Sequence, residues 1–402
     1  MSDKAFNSVV NTLTIIGNGF DLSLGAKTSY ESFYNCLKYC YECDIAIDFK
    51  QEYADQDNEE HLDAFYKTVK ENTDNYFINY FLRYRKVFGD WVSFEKELTK
   101  IIKSFDLLTL HLNTRDDYIL YFYSTPEVGL FLKIINEVEL MSIINVFPDN
   151  KFFCSGVKAD RYVKSENPVT SFHIKGYTYS NEFDVYKSIS DFTEFFPKEL
   201  YKDLCVFSDL FVIYLLIVKR CREDKLVYGS MLDSDFFINY NYTEYLASTI
   251  LRSGCKPSDI VYINGKAEDN KRSIVFGIDS NTELAIKGFE AFTKTVQRSL
   301  YDTDICRLSS ILKDDVAKIY VFGHSLNLAD YESLQFIFSS CEKYGKPEIV
   351  VYCYDELAKI DSIINLRTIL GKEKFDDYQR NHRLSFLNSK AAIMRKKNQE
   401  EE

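Results

Sequence analysis

The sequence predicts an α/β protein: a doubly wound, Rossmann-like parallel sheet carrying a large, mostly helical insertion. Three observations predict it. First, the apolar run Leu13-Thr14-Ile15-Ile16 ends at Gly17 and Gly19 and is followed by a helical pattern, the order strand, glycine turn, helix. Second, five later runs, at residues 236–240, 260–263, 274–276, 319–322 and 349–352, have the continuous apolar character of strands buried on both faces. Third, helical segments at 243–251, 330–344 and 355–370 follow several of these runs, the alternation of a parallel sheet covered by helices.

The first long helix is expected to open at Thr28, which stands three residues before Glu31 in a capping-box arrangement, and to run to about residue 41. From residue 44 the pattern changes. Long Tyr- and Phe-rich amphipathic segments such as 91–108 precede a turn-rich, β-leaning stretch at 151–186. The α/β alternation resumes after residue 230. Residues 1–43 and 231–390 are therefore expected to form the nucleotide-binding core, 44–230 a mainly α-helical insertion with some β, and 391–402 a charged tail.

At 402 residues the chain exceeds the usual size of one hydrophobic core, and its apolar content of 46% excludes the composition of a disordered protein. A formal net charge of -12 argues against a uniformly basic nucleic-acid binder, because phosphate neutralisation needs clustered Lys and Arg. The opening Met-Ser-Asp-Lys has no signal-peptide pattern, and no apolar run is long enough to cross a bilayer. A cytoplasmic protein with reduced thiols and no membrane partner is expected. Cys36, Cys40 and Cys43 are spaced closely enough to suggest zinc, but the same spacing is helical in an apolar segment and favours core packing. His61, His111, His173 and His382 share no metal-ligand spacing, so no metal is expected.

Glycines immediately after a strand let backbone N–H groups approach a ligand, and a helix start favours phosphate. The alternative is a tight strand-to-helix turn with no ligand. Gly17, Gly19, Asp21 and Gly25 resemble the glycine loop of the sirtuin-like NAD-binding proteins, although Ala26 and Lys27 depart from it. Asn241-Tyr242-Thr243 and Gly323-His324-Ser325-Leu326 resemble two further segments of that family, in the same order. The chain also resembles the AbiH family of bacteriophage abortive infection proteins. That resemblance rests on Ile15 to Leu22 with Thr28-Ser29-Tyr30, then Asn239 to Thr243, Ile263-Asn264-Gly265, Phe276 to Asp279, and Phe322 to Leu326 with Asp330.

These resemblances imply a role in anti-phage defence and NAD as substrate or ligand, with cleavage of the nicotinamide–ribose bond as the enzymatic hypothesis. Positive charge building on the ribose calls for a carboxylate or amide oxygen in a water-poor pocket. Asp21, Asn241 and His324 are the expected catalytic residues. Asp21 is equally suited to capping a helix; for Asn241 capping is the lesser alternative to function, and for His324 the alternative is bonding its own loop. The expected cofactor-binding residues are Gly17, Asn18, Gly19, Phe20, Asn264, Gly265, Gly277, Asp279, Gly323 and Ser325. Asp330 is assigned to capping.

Asn264 stands where the sirtuin pattern carries its general-base histidine, and an amide accepts no proton at neutral pH. Protein deacylation is therefore not expected. Trp91 and Glu95 are one helical turn apart and read as core packing ahead of a reach toward the pocket. Two other classes remain open: a nucleotide-sensing or protein-interaction module without turnover, and a toxin that cuts nucleic acid. A phage-derived trigger or host protein would meet the insertion, and oligomerisation is left open.

Overall fold

The apolar run after residue 10 forms β1, Asn11–Ile16, in the computed structural model of the chain. The structure describes residues 11–44, 46–53, 59–83, 94–99, 102, 172–174, 177–179, 182–218, 226–228, 234–251, 260–268, 273–279, 288–301, 303–312, 316–343, 345–391 and 393–395. The described strands that follow β1 are β2 (Phe172–Ile174), β3 (Tyr177–Tyr179), β4 (Leu226–Tyr228), β5 (Phe236–Asn239), β6 (Ile260–Tyr262), β7 (Val316–Phe322), β8 (Glu348–Cys353), β9 (Leu384–Asn388) and β10 (Ile393–Arg395). The described α-helices are α1 (Asn18–Ser23), α2 (Tyr30–Glu42), α3 (Ala46–Tyr53), α4 (Glu59–Glu71), α5 (Tyr76–Arg83), α6 (Glu182–Val218), α7 (Tyr245–Leu251), α8 (Lys294–Leu300), α9 (Ile305–Ile311), α10 (Tyr331–Cys341), α11 (Glu356–Leu370) and α12 (Lys372–Arg380).

Six strands form one sheet in the order β6-β5-β1-β7-β8-β9, and every neighbouring pair in it is parallel. The protein is thus an α/β protein with β1 at the centre of a six-stranded parallel sheet. Side chains alternate between the two faces with period two, and each face carries its own apolar core. Leu13, Ile15, Ile238, Ile319, Val321, Ile349 and Val351 pack with α10, α11 and α12 residues such as Ile337, Leu366 and Phe375. Ile16, Phe237, Tyr320, Phe322 and Val350 pack with Phe20 of α1 and Leu246 and Ile250 of α7.

Cα proximity divides the chain into two units: Met1–Phe33, Val212–Asn281 and Gln297–Glu402 form one, and Tyr34–Phe211 and Thr282–Val296 the other. The first holds the parallel sheet. Within it, Tyr214 donates a hydrogen bond to Lys27 O at 2.6 Å and packs on Phe33, centroids 5.2 Å apart. The second is dominated by aromatic packing, with Phe49 stacked on Phe65 and Phe94 on Phe207. There Glu95 Oε1 meets the buried Lys294 Nζ at 2.8 Å, so Glu95 acts in an ion pair of its own unit. Trp91 lies outside the described residues, as does most of the segment 91–108; residues 94–99 of it are helical.

Four sequence expectations need correction. Residues 274–276 form no strand: Ile274 makes an isolated bridge with Gly265, and both backbone polar groups of Phe276 are taken by the Gln297 side chain, at 2.7 and 3.1 Å. Strand β9 went unforeseen because it is an edge strand with partly exposed, mixed residues. Of the β-leaning stretch 151–186, the hairpin β2–β3 is described and α6 already begins at Glu182. Finally, α2 is capped by Ser29, whose Oγ accepts from Ser32 N at 3.1 Å, while Thr28 turns its hydroxyl to Asn18 Oδ1 at 2.7 Å.

Cys36 and Cys40 are fully buried in α2, where burial pushes the Cys40 thiol up to about 12. No described helix is long and apolar enough to cross a membrane.

Candidate functional site at the carboxyl edge of the sheet

The turn after β1 packs directly on the turn after β7. Gly17 N donates to Phe322 O at 3.0 Å, Gly19 N to Gly323 O at 2.9 Å, and Phe20 N to Gly17 O at 2.9 Å. A Cβ on Gly17 would lie 2.6 Å from His324 Cα, and one on Gly19 would lie 2.7 Å from Gly323 Cα. Gly323 itself sits at φ +68, a left-handed conformation that costs a residue with a Cβ. The glycines are therefore present because two backbones touch. Their N–H groups, expected to cradle a phosphate, are already spent on protein carbonyls. Phe20 is fully enclosed, edge-on to Phe322 at 6.2 Å, and so belongs to the core rather than to a ligand surface. The Asn18 amide closes on Thr28, donating to its carbonyl at 3.2 Å.

Asp21 lies inside α1, only 1% exposed. Its Oδ1 accepts from Asn241 Nδ2 at 2.8 Å and its Oδ2 from the Thr243 hydroxyl at 2.5 Å. Burial raises the carboxyl to about 7, against the lowering effect of the Thr243 and Asn241 hydrogen bonds. Asn241 also donates to Gly17 O at 3.1 Å. Both of its amide hydrogens thus go to acceptors, which fixes the amide orientation and leaves Oδ1 as a free acceptor among the described residues. Asn239 shapes this turn by accepting from Asn241 N at 3.0 Å. Neither Asp21 nor Asn241 serves as a helix cap; each is spent on joining the ends of β1 and β5.

His324 sits at the end of β7, with Nδ1 accepting from Leu326 N at 3.0 Å. The hydrogen of its neutral form therefore belongs on Nε2, which faces Asp330 Oδ2 at 3.5 Å. Asp330 occupies the N-cap position of α10 but makes no side-chain cap bond, correcting its expected role. That task falls to Asp279, whose Oδ2 accepts from Glu332 N at 2.8 Å. The Tyr240 ring lies 4.3 Å from the imidazole, and its hydroxyl bonds Ser333 at 2.9 Å. Gly277 lies in the buried run 273–279, and Ser325 is exposed, its carbonyl bonded by Asn365 at 3.2 Å.

At the end of β6, Asn264 is buried and its Oδ1 accepts from Arg298 Nη2 at 3.0 Å. Gly265 sits at φ +79 against Ser273 O, where a Cβ would overlap the carbonyl. Sequence reasoning missed Thr243, Tyr240 and Arg298. Thr243 lies in the Asn241-Tyr242-Thr243 segment, where its hydroxyl carries no signal of its own, and nothing in the local pattern marks Arg298 as buried.

Asp21, Asn241 and His324 thus come from three strand ends and meet around Gly17, giving an α/β protein with a buried polar junction at the carboxyl edge of a parallel sheet. Compared with known families, the chain matches the bacteriophage abortive infection AbiH family over residues 13–352. It belongs to that family. Neither the curated proteins nor the solved structures contain a match to the chain.

Proposed function

We propose that the chain acts in bacteriophage abortive infection by binding NAD or a related nucleotide at this carboxyl edge and hydrolysing its nicotinamide–ribose bond. The observation that carries the reading is the Asp21–Asn241 pair, a carboxyl group near neutrality buried where three strand ends converge. The strand order, read by rank along the chain as 3-2-1-4-5-6, supports it, because dinucleotide-binding sheets of that order hold their ligand at the carboxyl ends of the strands near the first.

In the proposed reaction the bond between the ribose C1′ and the nicotinamide nitrogen breaks, and its electron pair neutralises the ring cation. Water adds to C1′ and loses its proton to Asp21, which at a pKa of about 7 is poised to accept it. Asn241 holds the carboxylate and offers Oδ1 to a ribose hydroxyl. His324, with Nδ1 occupied, positions the Gly323 turn and holds its proton toward Asp330.

Nicotinamide release from NAD by the purified chain, with and without phage lysate, tests the reading. Asp21→Asn and Asn241→Ala should lower release by roughly 100-fold or more. Activated protein that leaves NAD intact, while both variants lose phage protection, would reject the reaction and keep a role for the junction. Sensing without turnover is the second reading, favoured by the fact that both Asp21 oxygens and His324 Nδ1 already hold protein donors.

A further inference from the structure

The donors missing from the glycine turn after β1 appear at the end of β6, on the far side of β5. Arg298 projects from α8 and is only 5% exposed. Its guanidinium offers five N–H donors, yet among the described residues its side chain makes one hydrogen bond, from Nη2 to Asn264 Oδ1. Its Nε is buried with no partner, and no ion pair joins it to a described carboxylate. Asp279 and Asp330 are close enough, with Arg298, to influence the Tyr240 hydroxyl. Asp279, however, directs an oxygen to Glu332 N, and Asp330 faces His324.

A buried guanidinium that makes a single hydrogen bond is costly, because most of its hydration is lost without a direct replacement. The Asn264 amide orientation is forced, since a guanidinium can only donate and Oδ1 must face it. Asn264 Nδ2, on the same amide, is then a second donor without a described partner. Gln297, by clamping Phe276 N and O, holds the 273–279 run, and Asn264 O accepts from Val275 N at 2.8 Å. Donor groups on a braced frame with no acceptor are the complement of an oxyanion.

We propose that Arg298 and Asn264 form the subsite for a phosphoryl group, so that phosphate recognition in this chain rests on a buried guanidinium at the end of β6 instead of on the glycine turn after β1. The inference deepens the nucleotide-binding reading and rests on it for the identity of the whole ligand, though not for the anion itself.

Titration calorimetry on the full chain with inorganic pyrophosphate, AMP and adenosine tests it, together with thermal melts. Wild type should bind pyrophosphate and AMP, and Arg298→Met should lose roughly 10- to 100-fold or more in affinity for both, as the removal of charge-assisted hydrogen bonds implies. Arg298→Met removes a buried charge that makes only one hydrogen bond, so its melting temperature should hold or rise, separating lost binding from lost fold. Asn264→Asp supplies the absent anion from within the protein, and should raise the melting temperature while abolishing pyrophosphate binding. Pyrophosphate binding that is absent in wild type, or equal in wild type and both variants, overturns the subsite. AMP binding that ignores Arg298 overturns it while leaving the nucleotide reading intact. Pyrophosphate bound through Arg298 with no affinity for any nucleotide keeps the subsite and removes that reading.

Discussion

The ends of β1 and β6 lie in the same parallel sheet, one strand apart, and solve opposite problems. At β1 the polar groups of the turn are matched within the protein: Gly17, Gly19 and Phe20 N–H groups meet carbonyls, and Asp21 receives Asn241 and Thr243. At β6 donors outnumber acceptors, because Arg298 and Asn264 share one hydrogen bond between a guanidinium and an amide. The contrast shows that a glycine turn after a strand is not by itself a phosphate site. Whether its N–H groups are available depends on what packs against it, and here a second glycine turn does.

The sharpest way to break the β1 side is Gly323→Ala. The new methyl would stand 2.3 Å from Phe20 N on a residue at φ +68, combining overpacking with left-handed strain. The expected cost is on the order of 3–5 kcal/mol, read as loss of soluble protein or a large drop in denaturation midpoint. A Gly323→Ala protein of wild-type stability would mean that the two turns do not touch as described.

The next effect is a pH dependence. Asp21 has a folded pKa raised from 3.8 to about 7, so between those values the folded state binds more protons than the unfolded one. Stability therefore falls as pH rises through that window, and the penalty is complete above the folded pKa. Its size is on the order of 4 kcal/mol. Asp21→Asn removes the titration, so denaturant melts of the variant should lose this slope while wild type keeps it. Identical slopes in both proteins would show that Asp21 is solvated and ordinary.

Much of this fold was legible because strands buried on both faces must be continuous apolar runs, as at Ile15-Ile16 and Val350-Val351. Strand β9 was not, since Leu384-Ser385-Phe386-Leu387-Asn388 lies at an edge and mixes polar with apolar residues. The run Ile274-Val275-Phe276 misled for the converse reason: it is apolar and buried, but a single glutamine, Gln297, takes the hydrogen bonds a strand partner would have made. The meeting of Asp21 with Asn241 could be anticipated, because both follow strands and parallel topology brings such ends together. Arg298 could not. In Thr295-Val296-Gln297-Arg298-Ser299 a charged residue on a short helix reads as solvated, and only the packing of distant segments buries it.

The smallest effect tests how finely the β1 junction is tuned. Thr243 donates a short hydrogen bond to Asp21 Oδ2, one of two that oppose the burial-driven rise of the carboxyl pKa. Thr243→Val keeps the shape of the side chain and removes the donor, so ionised Asp21 loses a partner while protonated Asp21 loses little. The variant should be about 1 kcal/mol less stable than wild type above neutral pH and closer to it at acid pH, with the Asp21 midpoint moved upward in a carboxyl titration followed by NMR. A loss of stability equal at both pH extremes would assign Thr243 to packing alone. A midpoint that stays in place would mean that Asn241 holds Asp21 unaided, and that the junction tolerates an unmatched acceptor much as the β6 end tolerates unmatched donors.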